Sequence, residues 1–253
     1  MNLIRLQSAI VAVLLIGWFE VAQLQPGWLL ILGVSAGMLL VGTMFVLFRG
    51  KIFDRTFVGF TVVPLLLIGS GGLFYLFLEN AVVLRIISVS IALLVWFYLD
   101  NVYVFLHDVQ SYQPFALQHV STYVLLTSTF FLMSGLYGLR VFLSMSLPLL
   151  VAAGTAWLFL TVALTFWTYK FPIREHRWHL IGSVAILSEC FVALFAFPTL
   201  IMVNGVILTV AWHVVTSLCR IDLQDSLRFK TVMRYSFIGG SMILVTLLTA
   251  QWT

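Results

Sequence analysis

The chain has 253 residues, of which 62% are hydrophobic and 9% charged, with a formal net charge of +4. Thirteen Lys and Arg with nine Asp and Glu are too few to solvate a soluble globule of 28.5 kDa. An aromatic content of 15% with scattered prolines excludes a disordered chain. The composition predicts an all-α polytopic integral membrane helix bundle, one transmembrane domain over residues 1–253 with no soluble domain. Its first partner is the lipid bilayer. The basic excess belongs beside membrane headgroups and implies no nucleic-acid partner.

A helix needs about 20 apolar residues to cross the hydrocarbon. Runs of that kind fall at residues 8–24, 28–48, 57–78, 81–99, 117–138, 147–169, 178–197, 200–218 and 235–252, nine in all. The first ends in Val21-Ala22-Gln23-Leu24-Gln25, without the small residues of a signal cleavage site, so it is read as a span. The breaks have chemical causes. Gln25-Pro26-Gly27 is a turn tripeptide, Glu79-Asn80 joins a charge to a turn former, and Pro198 divides a run too long for one crossing into a hairpin.

Charge gives sidedness. If the N-terminus is cytoplasmic, the inner segments hold Arg5, then Arg49, Lys51 and Arg55, then Lys170, Arg174 and Arg177, then Arg220, Arg228, Lys230 and Arg234, eleven of the thirteen basic residues. Arg85 and Arg140 fall outside, close to span ends where a long side chain reaches the headgroups. Nine spans with the N-terminus inside and the C-terminus outside follow, in a plasma membrane, with a prokaryotic inner membrane as the expected setting. Residues 100–116 lack Lys and Arg but carry Val102, Val104, Phe105 and Leu106, which predicts a segment lying in the interface or partly re-entering. Residues 221–235 read as a second interfacial helix, with Asp222 as N-cap and an Asp225–Arg228 pair one turn apart.

An ionisable side chain within lipid is costly, so each needs a reason. Glu20 and Arg85 lie near the outer ends of spans one and four and are expected to form a structural ion pair. Glu189 and His213 lie deeper, about 14 Å and about 22 Å from the turn at 198–199 at 1.5 Å per residue. With Asn204 they form the expected substrate- or ion-binding centre. Cys190 and Cys219 sit in or beside apolar runs as packing thiols. His107, Asp108, His119, His176 and His179 share the cytoplasmic side and are the weak candidates for metal ligands, but no metal and no cofactor is expected. His176 and His179 form a single spaced pair, without the doubled histidines of the iron-holding boxes in membrane hydroxylases and desaturases. The lysines, Lys51, Lys170 and Lys230, lie at span edges, which excludes the mid-membrane Schiff base of retinal proteins.

Three functional classes fit these residues. The leading one is a small carrier or permease with a mid-membrane Glu/His centre and a small-molecule or ion substrate. The others are a membrane-embedded enzyme, lipid- or metal-dependent, using the cytoplasmic Asp and His residues, and a structural subunit with a membrane-protein partner. Catalytic residues are not identifiable from the sequence. Sidedness is directly testable. In intact cells an impermeant thiol reagent should miss a single cysteine placed at position 175 and reach one at the C-terminus; a cytoplasmic C-terminus overturns the nine-span topology.

Overall fold

The computed structural model describes residues 3–50, 55–108, 110–197, 199–224 and 228–250. These form nine α-helices long and apolar enough to span a membrane: α1 (Leu3–Leu24), α2 (Leu29–Leu47), α3 (Arg55–Tyr75), α4 (Ala81–His107), α5 (Ala116–Leu143), α6 (Leu147–Thr168), α7 (Arg177–Leu194), α8 (Ile201–Asp222) and α9 (Phe229–Thr249). Each apolar run has become one helix. The turn tripeptide enters a short 3-10 turn, Pro26–Trp28, between α1 and α2. Asn80 caps α4, its side-chain oxygen accepting from the amides of Val82 at 2.9 Å and Val83 at 3.3 Å.

Two predicted interfacial segments are not formed. Residues 100–107 continue α4, which is 27 residues long, because Val102 prolongs the buried stripe of Ile91, Val95 and Tyr98 at helical spacing. The apolar residues that suggested an interfacial segment are therefore partly core residues of a long helix. At 1.5 Å per residue α4 is about 40 Å long, so it tilts or projects beyond the hydrocarbon. Of residues 221–235, residues 221–222 end α8 and residues 229–235 open α9. Asp222 is the last residue of α8 and not an N-cap. Asp225, one half of the expected pair with Arg228, lies outside the described residues, as does Pro198.

The chain divides into two compact units, Met1–Ser128 and Thr129–Thr253, with the boundary inside α5. In the first, α1 packs on α2 and α4, and α3 packs on both α2 and α4. Pro64 lies inside α3 and has no N–H, so the carbonyl of Phe60, four residues earlier, loses its helical donor. The hydroxyl of the fully buried Tyr98 on α4 donates to that carbonyl at 2.9 Å. A second tyrosine, Tyr75 on α3, donates to the carbonyl of Phe19 on α1 at 2.9 Å.

In the second unit α7 packs between α6 and α8, and α8 packs on α9. The end of α7 leaves carbonyls from Phe191 to Leu194 that need donors. Tyr137 on α5 donates to Phe191 at 3.0 Å, and the amides of Phe195 and Ala196 serve Val192 and Ala193. Leu194 receives the amide of Phe197 at 3.2 Å and the side-chain amide of Asn204 at 3.3 Å. Trp212, fully buried on α8, donates to the hydroxyl of Thr161 on α6 at 3.2 Å.

Close approach of α6 and α7 rests on Gly154, where a Cβ would fall inside contact distance of the Phe191 ring. That ring is wholly buried and held between Tyr137 and Phe195, with centroids 5.2 and 5.0 Å away. Gly154→Ala should therefore destabilise the protein by about 1–3 kcal/mol through overpacking. Gly182→Ala on α7, with open space around the site, should be neutral or slightly stabilising. Thermal melting of both variants in detergent checks the pair, and equal melting temperatures would contradict the packing.

Candidate functional site

The residues singled out in the sequence fall into separate places. Glu20 on α1 and Arg85 on α4 meet, with Arg85 Nε 3.2 Å from Glu20 Oε1. Arg85 is 65% exposed and Glu20 41% exposed, so the pair sits at a rim and not in a dry core. Its worth lies in geometry more than in energy, because solvent and headgroups screen such a pair. It ties α1 to α4 beside the Tyr75 bond that ties α3 to α1.

No hydrogen bond or ion pair among the described residues joins Glu189, His213 and Asn204, the expected centre. Asn204 is buried and serves the α7–α8 hairpin: its Oδ1 accepts from the Thr199 hydroxyl at 2.6 Å while its Nδ2 holds the Leu194 carbonyl. Glu189 is exposed and makes no hydrogen bond or ion pair with a described residue. His213 is half-buried, with Nδ1 enclosed and without a hydrogen-bond partner among the described residues. The buried stripe of α7 is Leu180, Val184, Leu187, Phe191 and Leu194. Glu189 lies two residues past Leu187, about 200° around the helix, on the opposite face.

The histidines divide between the two units. In the first unit the His107 ring stacks on Tyr103 with centroids 5.0 Å apart, Asp108 is the residue that ends α4, and His119 is exposed. In the second unit His179 Nε2 lies 3.1 Å from Asp222 Oδ2, and the rings of His176 and His179 are 6.0 Å apart. Next to this pair along α8, Arg220 donates to the Tyr169 hydroxyl at 2.5 Å, its guanidinium 4.8 Å from the ring centroid. These contacts fasten the link between α6 and α7 to the end of α8. Among the described residues no three His, Cys, Asp or Glu side chains converge as a metal-ligating group.

Sequence reasoning missed the three tyrosines that donate across helices and the Trp212–Thr161 bond. For Tyr98 a signal existed, since Pro64 marks the Phe60 carbonyl as needing an outside donor. No protein-family model, no curated protein and no solved structure matches this chain.

The rim pair makes a concrete expectation. Glu20→Arg and Arg85→Glu should each lower the melting midpoint in detergent, and the double swap should recover part of the loss; a double swap no better than the singles would rule out a direct interaction.

Proposed function

We propose that this polytopic membrane protein serves as a subunit of a membrane complex, in the plasma membrane of a prokaryote, with the outward face of α7 seated against a transmembrane helix of another chain. The observation that carries this reading is Glu189, exposed about 18 Å along α7 and without a hydrogen-bond or ion-pair partner among the described residues. A carboxyl facing lipid at that depth costs several kcal/mol unless something donates to it. Gly182, Ala185 and Ala193 share its face and are exposed with it, so a neighbouring helix could approach closely. The partner this face fits carries a hydrogen-bond donor or a cation at matching depth and small side chains one turn to either side.

A carrier is the second reading. What favours it is that Ser188 Oγ and His213 Nδ1, in the same unit, are buried polar atoms without hydrogen-bond partners among the described residues. It would use His213 as the titrating group, without the Glu189 contact that first suggested it.

Photo-crosslinking in native membranes separates the two. A photoreactive residue at Ala185 or Ala193 should form a protein adduct, one at the buried Val184 should not, and Glu189→Leu should abolish the adduct while leaving the melting behaviour unchanged. Adducts to lipid alone would overturn the subunit reading.

A further inference from the structure

The rim of the first unit that carries Glu20 and Arg85 also opens a cleft of about 410 Å³, where α1 and α3 end and α2 and α4 begin. Leu29, Leu76 and Leu84 form its apolar walls, and Gln23, Tyr75 and Glu79 supply its polar groups. We propose that this cleft binds an ammonium group carried on an apolar chain.

Charge decides the sign of the ligand. Glu79 is exposed, lines the cleft and has no hydrogen bond or ion pair with a described residue; the Gln23 side chain is likewise uncommitted. The one cation at this rim among the described residues, Arg85, is engaged by Glu20. An anion would therefore meet a free carboxylate and no free cationic donor. The helix ends do not change that balance. Two amides in the first turn of α4, those of Val82 and Val83, are taken by the Asn80 side chain. The carbonyl ends of α1 and α3 and the amide ends of α2 and α4 meet at the same rim, so the helix poles offset one another and the Glu79 carboxylate sets the sign.

Shape decides the rest. Tyr75 is buried with its hydroxyl directed to the Phe19 carbonyl, so it forms a floor and not a mobile contact. An ammonium ion has N–H donors for the Glu79 carboxylate and the Gln23 carbonyl oxygen, and the leucines accept the methylenes that follow it. Two sources carry this chemistry: the headgroup of phosphatidylethanolamine in the adjoining leaflet, and a free long-chain amine.

The test uses the full chain in nanodiscs of phosphatidylglycerol, with and without phosphatidylethanolamine, and follows the melting midpoint on adding dodecylamine or dodecanol. In phosphatidylglycerol alone dodecylamine should raise the midpoint and dodecanol should not. Glu79→Gln should weaken the amine's effect on the order of tenfold, through loss of a charge-assisted hydrogen bond, with the ligand-free midpoint unchanged because Glu79 is exposed and has no partner among the described residues. Glu79→Asp should retain part of the effect. If the dodecylamine response disappears when phosphatidylethanolamine is present, the headgroup is the natural occupant; if it persists, the site takes the free amine. Equal responses to amine and alcohol, no response to the amine, or an undiminished response in Glu79→Gln would each overturn the proposal.

Discussion

The constraint on which the rest depends is that a backbone carbonyl inside hydrocarbon must find its donor within the protein. Regular helix meets it everywhere except at helix ends and at proline, and two of the three tyrosines that donate across helices, Tyr98 and Tyr137, serve such places. Pro64 releases the Phe60 carbonyl, and Tyr98 reaches across from α4 to accept the task of donor. The last turn of α7 releases four carbonyls, and Tyr137, Asn204 and three tightened backbone bonds take them up. Tyrosine suits this role because its ring packs as a large apolar body while a single hydroxyl at its tip carries the hydrogen bond. Each such bond also fixes the rotation and height of one helix against another, which apolar contact alone does not do.

Between helices the hydrophobic effect gives little, since lipid tails are as apolar as leucine, and close packing takes its place. Small residues mark where it acts. Gly154 receives Phe191, and Gly239 receives Val214, so α6 meets α7 and α9 meets α8 at positions with no room for a side chain. In α9 Gly239 is the buried residue among those described, which makes the helix an appendage held along one line. A span fixed by so narrow a seam is the least constrained element of the second unit.

How far the sequence could be read follows from which coordinate each feature needs. Hydropathy fixes position along the membrane normal, and the runs and their breaks were legible for that reason. Helix ends were less so: Val102 and Tyr103 extend α4 because they continue a buried face, and a face becomes visible only once the neighbours are known. Rotation about the helix axis was nearly invisible. A span that is apolar all round has no stripe to orient it, so counting from the turn located the depth of Glu189 and His213 but not the direction in which either points. Asn204 was legible as a polar residue at membrane depth, yet its use as a hairpin clasp depends on where α7 stops. Glu20 and Arg85 were more tractable because residues at a rim keep long, mobile side chains that tolerate an error of rotation.

Exposure has a different meaning here from its meaning in water, and this is what separates α7 from α9. The outward surface of α9 includes Phe237, Met242, Leu244 and Leu248, all well suited to acyl chains, so its exposure calls for no partner. The outward surface of α7 sets a carboxyl beside Gly182, Ala185 and Ala193, with Ile181, Ile186 and Val192 flanking them, so its apolar part suits lipid and the carboxyl is what lipid solvates poorly and a second helix solvates well. Glu20 is half-exposed too, but it lies at a rim and has Arg85. Glu189 has neither a rim nor a described partner. The polarity of an outward face at a given depth, and not its area, is therefore what argues for a protein neighbour, and in this chain that argument falls on α7 and not on the far more exposed α9.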